Sequence, residues 1–458
     1  LDTNRNSTHE RETWGAHLEL KWELENFDIT SITSHTDTES TRITDVDLTQ
    51  LWFFHTERPE TLEVTTQEFR ITSNNDGNLN WQAGLYFTDY EETMFSSLHF
   101  GWLILEAADP FLDVPVPFES RHDDRSHRAA FGNFTYEIGD WEIGAGLRVD
   151  RWESEETSFD VCGDDGCSND SMSKSDTEVL PRFSIRRNIE DGIVYATVSK
   201  GYEPGGWNGV TSGGPPVYDA NGKRTLTSYD KEQALQIEVG AKREFMDGRA
   251  KASVAVFRTK YEARQYEFIV PNPNGDGTLI DGITNVGDST QMGIEISAAL
   301  QATDHLVLTA AYGMIDAEWD SGTSVTIDGV PYDLSDVEPS QIVGNSASFT
   351  ASFQMPMANG FDMLADLQVS HNGEMDGGKP WDVVTHDSYT VVDLQVGVTN
   401  GPWELMLNVE NLTDEEYYTD LEPFDNFSFA GLIGEEGRIV IGTHGHPRIF
   451  SASVSYSF

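Results

Sequence analysis

The sequence predicts an all-β protein, an antiparallel transmembrane β-barrel, and three observations carry that prediction. Apolar and polar residues alternate with a period of two along the whole chain, while helical periodicity is nearly absent. Short Gly/Asn/Asp turns alternate with long connections, which places the short turns at one end of an up-and-down meander. No run approaches the ~18 consecutive apolar residues of a membrane-spanning helix, yet aromatic residues make up 11% of the chain. Barrel strands need only an alternating apolar face, so they score as hydrophilic on average.

About 17 strands are expected, starting near Trp14, Asn26, Leu62, Leu79, His127, Asp140, Asp176, Gly192, Ser228, Gly248, Gly282, His305, Gln341, Gly360, Ser388, Gly401 and Arg438. Leu18, Leu20, Trp22 and Leu24 share one face of the first strand, against His17, Glu19, Lys21 and Glu23. Trp141, Ile143, Ala145, Leu147 and Val149 face away from Glu142, Gly144, Gly146, Arg148 and Asp150. Phe361, Met363, Ala365, Leu367 and Val369 alternate with polar residues, with Leu364 off the pattern. Trp403, Leu405, Leu407 and Val409 alternate with Glu404, Met406, Asn408 and Glu410. The last strand sets Phe450, Ala452, Val454, Tyr456 and Phe458 against four serines.

Turn dipeptides such as Gly139-Asp140, Asp191-Gly192, Asp247-Gly248, Asn359-Gly360 and Asn400-Gly401 suit tight reversals, because Gly, Asn and Asp tolerate positive φ. The long connections fall at 42–61, 93–126, 154–175, 203–227, 270–281, 320–340, 371–387 and 418–437. A soluble sandwich has no reason to sort its loops by length; an outer-membrane barrel does. An odd strand number makes the first and last strands run the same way, which forbids antiparallel closure between them. Strands are therefore expected ahead of the first, and the sequence reads as beginning inside an external loop. The opening Leu-Asp-Thr-Asn-Arg has neither an initiator Met nor a signal peptide, so a processed product or a fragment is expected.

Composition excludes some functions. With 29 Lys+Arg against 78 Asp+Glu the chain carries a net charge of −49, which repels phosphate backbones and argues against nucleic-acid binding. Its aromatic content argues against disorder. No Gly-x-Ser-x-Gly, His-Glu-x-x-His or phosphate-loop motif is present, so no enzyme activity and no cofactor are expected. Cys162 and Cys167 are the two cysteines, and they would close a small disulfide outside the cytoplasm or stay free thiols within it. Neither they nor His444 and His446 come with enough ligands for a metal site. Asn272 to Thr278 resembles the start of a calcium loop, but Ile283 stands where the bidentate Glu belongs, so it reads as a turn.

Several segments, in order, resemble the TonB-dependent outer-membrane transporter family. They are Tyr195–Asn208 (YATVSKGYEPGGWN), Tyr229–Lys242 (YDKEQALQIEVGAK), Asn285–Glu295 (NVGDSTQMGIE), Asn408–Tyr418 (NVENLTDEEYY) and Gly445–Arg448 (GHPR). Each is weak alone; the ordered set is specific, and it spans roughly residues 60 to 458. The resemblance implies a barrel of about 22 strands, of which about 17 are here, and a signal peptide, TonB box and plug domain that this sequence lacks. The chain is therefore expected to be part of a longer polypeptide, ahead of completion by another chain or a degenerate gene product. Residues 1–458 are read as one partial barrel domain, with its main external loops near 93–126, 154–175 and 203–227.

The implied function is active uptake of a scarce large solute, most often a ferric siderophore, through the cell outer membrane of a Gram-negative bacterium. A passive diffusion channel, carbohydrate or cobalamin uptake by the same fold, and a secreted polysaccharide hydrolase are the alternatives. The implied partners are the TonB-ExbB-ExbD complex, acting through the plug, outer-membrane lipid or lipopolysaccharide, and a lipoprotein. In that setting Cys162 and Cys167 are expected as a disulfide. Tyr456 and Phe458 resemble the terminal signal read by the barrel-assembly machinery. Asn411, Leu412, Asp414, Tyr417, Gly445, Pro447 and Arg448 form the family motif, for which loop organisation and strand capping are the expected roles. Trp102, Tyr202, Trp207 and Tyr218 are the candidate ligand contacts, because loop aromatics offer stacking surface.

Overall fold

A computed structural model describes residues 7–45, 54–75, 77–101, 113–160, 169–207, 228–271, 279–327, 330–335, 337–339, 341–358, 360–379, 382–424 and 439–458. The strands in chain order are β1 (Thr8–Glu23), β2 (Phe27–Asp45), β3 (Phe54–Ser73), β4 (Leu79–Gly101), β5 (Asp113–Ile138), β6 (Trp141–Asp160), β7 (Asn169–Ile189) and β8 (Gly192–Glu203). Then come β9 (Gly206–Trp207), β10 (Ser228–Tyr229), β11 (Glu232–Phe245), β12 (Ala250–Pro271), β13 (Leu279–Thr303), β14 (Leu306–Trp319), β15 (Ser324–Ile327), β16 (Val330–Asp333) and β17 (Asn345–Pro356). The chain continues through β18 (Asp362–Asn372), β19 (Met375–Lys379), β20 (Asp382–His386), β21 (Tyr389–Asn400), β22 (Trp403–Glu410), β23 (Tyr418–Phe424), β24 (Ile439–His444) and β25 (Ile449–Tyr456).

Seventeen of these strands form one antiparallel sheet, each hydrogen-bonded to the next in the chain from β1 through β8, β11 to β14, β17, β18, β21, β22 and β25. The other eight make four two-stranded hairpins: β9/β10, β15/β16, β19/β20 and β23/β24. Among the described residues β1 and β25 pair on one side only. With an odd number of strands between the two ends, β1 and β25 run the same way, as the strand count requires.

Register fixes the faces. Residues opposite one another across a ladder share a face, so Phe69, Leu85, Phe134, Ala145 and Phe183 stand on one side of the sheet. The same side carries Leu405, Leu407 and Val409 opposite Val454, Ala452 and Phe450. Large apolar side chains on this side are exposed to the surroundings, among them Phe183, Leu147, Val239 and Phe450. They form the belt that meets lipid. Trp403 and Tyr456 pack against each other with ring centroids 4.7 Å apart where the belt reaches the short turns, as interfacial aromatics do. The opposite face is polar, with Ser253 hydrogen-bonded to Ser297 at 2.6 Å and the Tyr195 hydroxyl donating to Glu238 at 2.8 Å.

The short turns form where positive φ was expected, at Gly139 (60°), Asp191 (60°) and Gly401 (57°). The long connections differ from expectation. Residues 93–126 are not one loop: β4 and β5 stay paired out to Gly101 opposite Asp113. Residues 154–175 likewise lie largely in the β6–β7 ladder, which runs to Phe159 opposite Asn169. At 42–61 the β2–β3 ladder reaches Asp45 opposite His55, and at 270–281 β12–β13 reaches Pro271 opposite Leu279. The spans 320–340, 371–387 and 418–437 hold the hairpins β15/β16, β19/β20 and β23/β24. The strand expected from Arg438 is two elements, β24 and, after a break, β25. Outside the lipid neither face of a hairpin meets hydrocarbon, so the apolar alternation ends while the backbone ladder continues. Periodicity marks the belt alone.

β2 departs from the outward pattern. Its lipid-side residues after Ile29 are Ser31, Thr33 and His35, beside Thr65 and Gln67 of β3. They bond to one another: Thr33 Oγ1 donates to Gln67 Oε1 at 2.5 Å, Gln67 Nε2 donates to Ser31 Oγ at 3.1 Å, and His35 Nδ1 meets Thr65 Oγ1 at 2.9 Å. Elsewhere the belt is apolar, and a charge placed there is expected to destabilise the fold. Leu147→Arg, in mid-belt, should cost about 2–4 kcal/mol in reversible unfolding from lipid vesicles. Thr309→Arg, on the polar face of β14, should cost far less; similar losses at both sites would contradict this assignment of faces.

Candidate functional site

The polar face is richest in chemistry where β4 to β8 leave the belt on the side away from the short turns. Cross-strand rows stack there in register: Tyr86, Ala129, Asp150 and Glu178; Thr88, His127, Trp152 and Asp176; Tyr90, Arg125, Ser154 and Lys174; and Glu92, Asp123 and Glu156. Asp123, Asp150, Glu156 and Glu178 are buried, and so is Trp152. Buried carboxylates need cationic partners, and the sequence supplies them at short range. Arg125 pairs with Asp123 and lies over the Tyr90 ring at 5.4 Å. Arg121 reaches Glu92 at 3.2 Å, and Tyr90 donates to the same carboxylate at 2.9 Å. Arg148 pairs with Asp150 at 3.2 Å and covers Tyr86 at 5.4 Å.

Residues 202–207 and 228–233, flanking the 203–227 connection, fold against this cluster. Lys231 pairs with Glu178 and, at 2.5 Å, with Asp176. Glu178 also meets Lys200 at 3.5 Å and accepts from Gln233 Nε2 at 2.7 Å. Lys174 reaches Asp230 at 2.9 Å. The backbone of Asp230 is held from the other side by Asn285, whose Oδ1 accepts from Asp230 N at 2.6 Å and whose Nδ2 donates to Asp230 O at 2.8 Å. β9 and β10 thus form a strap clamped between β7 and β13.

Two of these links differ in weight. Lys174–Asp230 is largely exposed and contributes ~0–1 kcal/mol. Stripping the cations from buried Glu178 would cost ~3–5 kcal/mol, because an uncompensated charge would be left behind. The titrations follow. Burial and the neighbouring Glu92 push the Tyr90 hydroxyl up to about 12. Burial, followed by the Asp150 charge beside it, raises Tyr202. The bond from Lys231 lowers Asp176. Burial works against the Lys231 charge, but Asp176 and Glu178 outweigh it and raise its pKa.

Of the expected ligand contacts, Tyr202 stands at this cluster beside Asp150 and Trp207 lies on the strap opposite Ser228, while Trp102 and Tyr218 lie outside the described residues. Cys162 and Cys167 also lie outside them. The sequence reading missed Tyr90, Asp123, Arg125, Asp150, Trp152 and Glu178. The one available signal was an aromatic on polar parity, since Trp152 continues the Arg148–Asp150 face of β6. Glu91, His122 and Asp124 bring three possible metal-ligand atoms within 4.8 Å of one another. They sit on the outward side, above the belt, apart from the mouth cluster.

The C-terminal motif forms a second centre. Asn411 is buried with φ of 49°. Its Nδ2 donates to Glu415 O at 2.8 Å and His446 O at 2.9 Å, while its Oδ1 accepts from Glu415 N at 2.8 Å. Its own N–H donates to Asp393 Oδ1 at 2.8 Å, and Leu412 N donates to Val392 O at 2.6 Å. Asp414 accepts from Arg448 N at 3.0 Å and pairs with the guanidinium at 3.3 Å, and Arg448 Nη1 donates to Leu412 O at 3.3 Å. A Cβ at Gly445 would lie 2.1 Å from the Tyr417 ring, which itself stacks on Tyr389 at 4.3 Å. The cluster clasps the start of β25, after Pro447, to the end of β22. Tyr456 closes β25 on the belt side, and Phe458 beyond it is fully exposed.

The family model described as "TonB dependent receptor-like, beta-barrel" matches residues 1–412. The probable TonB-dependent siderophore receptor PiuA of Acinetobacter baumannii is 23% identical over 285 residues, covering 61% of this chain and 35% of PiuA. The metal-pseudopaline receptor CntO of Pseudomonas aeruginosa is 26% identical over 325 residues, covering 68% of this chain and 40% of CntO. The chain thus spans well under half the length of these relatives. Among solved structures, the ferric yersiniabactin uptake receptor FyuA from Yersinia pestis superposes with a TM-score of 0.76 at 17% identity, over 98% of this chain and 62% of FyuA. The siderophore receptor PiuA from Acinetobacter baumannii gives 0.70 at 18% identity, over 97% of this chain and 64% of PiuA.

Two outcomes are expected. Asn411→Ala removes side-chain bonds from a buried loop and should cost roughly 1–3 kcal/mol in unfolding free energy, since the groups left behind lose their partners. The strap should respond to pH through Asp176 and Lys231. With the folded Asp176 pKa below its ordinary 3.8, its contribution is full above 3.8 and fades as pH falls through the folded value. With Lys231 raised above 10.5, its contribution is full below 10.5 and fades above the folded value. Protection of the amides at 228–231, taken relative to their intrinsic exchange rate at each pH, should therefore be high at neutral pH and fall below 3.8, and in Lys231→Ala it should be low throughout.

Proposed function

The chain belongs to the TonB-dependent receptor β-barrel family, and from that membership we propose that it builds the wall of an outer-membrane transporter for a scarce solute too large for diffusion pores. The solute is a ferric siderophore, and uptake is driven by TonB acting on the complete receptor. The carrying observation is the mouth cluster. A belt-forming sheet turns a dense, ordered set of aromatic and charged side chains toward its polar face, with Tyr202 of β8 beside Asp150 and Trp207 on the strap that pairs with them. A ligand captured there meets a rigid wall, and the path below is lined by Ser253, Ser297, Thr309 and Ser348 together with charged residues, among them Lys242 and Glu244. The chemistry is binding and passage, with no bond made or broken. Relatives described as a siderophore receptor and a metal-pseudopaline receptor support the choice of ligand.

The test uses cells that carry the complete gene and no other iron-chelate receptor. Uptake of radiolabelled ferric siderophore should fall at least tenfold when the gene is deleted, when TonB is absent, or when the proton gradient is collapsed. Uptake that ignores TonB and the gradient, with steady conductance in planar bilayers, would identify a passive channel instead.

A further inference from the structure

We infer that the mouth cluster selects a ligand without net negative charge that presents hydroxyl or amide groups, so that among ferric chelates it takes the neutral over the polyanionic. This rests on the uptake reading above and concerns the same site. Six cations stand in the cluster, and all are engaged by carboxylates. Arg121 is held by Glu92, Arg125 by Asp123, Arg148 by Asp150, Lys174 by Asp230, Lys200 by Glu178, and Lys231 by Asp176 and Glu178. An anionic ligand could gain an arginine or lysine here only by taking it from a carboxylate, and Asp123 and Glu178 are buried where no water would replace the lost partner. The whole chain adds a field of the same sign, at a net charge of −49.

What the cluster offers instead is neutral donors and spare carboxylate acceptors. Trp152 is 2% exposed, and its Nε1–H has no hydrogen-bond partner among the described residues. The same holds for Trp207 Nε1–H on the strap, for Thr88 Oγ1, and for Oδ1 of Asp123, a residue 1% exposed. A buried donor or acceptor without a partner in the protein calls for one outside it. Indole donors and a carboxylate oxygen together match groups that both accept and donate, as hydroxyls and amides do, and the ring of Trp207 adds a stacking face. A trianion would find nothing in this set to offset its charge.

The experiment measures binding of two iron(III) chelates of similar size to the complete receptor purified in detergent, at low ionic strength. One is a tris-hydroxamate of zero charge, the other a tris-catecholate of charge 3−. The neutral chelate should bind at least tenfold more tightly. Trp152→Phe and Trp207→Phe, which keep an aromatic ring and remove the N–H, should each weaken it several-fold and leave the trianion unchanged. Equal or tighter binding of the trianion overturns the inference while leaving iron uptake in place, and that comparison needs no variant to fold. Indifference of the neutral chelate to both substitutions also overturns it. Absence of any TonB-driven iron uptake in cells removes the uptake reading, and this inference with it.

Discussion

The structure depends on one constraint: inside lipid, every backbone N–H and C=O must find its partner within the protein. The seventeen-strand ladder answers it for the fifteen strands between β1 and β25, which among the described residues pair on one side only, and most other features follow. Strands must pair along their whole membrane length, so the side chains are free to sort by face. The sheet then needs an apolar residue only at every second position, which is how a chain of mean hydropathy −0.43 crosses a membrane. The ladder does not stop at the lipid boundary. β4–β5 and β6–β7 run on as paired hairpins well beyond the belt, and this rigid extension supports the mouth cluster.

That continuity explains what could and could not be read from the sequence. Phe450 to Tyr456 and Trp141 to Val149 announce their strands because lipid enforces the alternation there. Glu91-Glu92 and Asp123-Asp124 announce nothing, because neither side of their hairpin touches lipid, and so the paired residues 93–101 and 113–126 read as a loop. The strand number survived this error because each belt crossing carries its own alternation. The C-terminal motif was legible for a different reason. Asn411 and Glu415 bond within one short turn, and the family-like segments 408–418 and 445–448 mark the two halves that Asp414 and Arg448 join across 34 residues of chain. The mouth cluster draws Tyr90, Asp123, Asp150, Glu178 and Lys231 from five separate segments, and only the register brings them together.

Electrostatics then shapes what the mouth can do. In a chain with far more acids than bases, a buried carboxylate is satisfied only where a base is placed beside it. The polar face concentrates six of the chain's 29 Lys and Arg at this cluster. Their use is structural in the first instance: Lys231 ties the strap to β7 through Asp176 and Glu178, and Arg125 fixes the Tyr90 ring. A cation committed in this way holds the site's shape but no longer offers charge to a ligand. Rigidity and anion affinity compete for the same side chains, and here the contacts have been assigned to rigidity.

β2 shows that the same constraint governs side chains as well as backbone. Lipid penalises a polar group for its unmet hydrogen bonds more than for its polarity. Ser31, Thr33, His35, Thr65 and Gln67 stand on the belt side of β2 and β3, yet each has a cross-strand partner. Thr33 donates to Gln67, Gln67 donates to Ser31, and His35 meets Thr65. Such pairs form only if register brings hydroxyl opposite amide or imidazole, and the β2–β3 ladder does so at Thr33–Gln67 and His35–Thr65. A one-residue slip would bring these side chains opposite residues of the other face and leave them unpaired in hydrocarbon. The polar patch therefore specifies the β2–β3 register more sharply than leucines would, because apolar contacts tolerate sliding and hydrogen bonds do not.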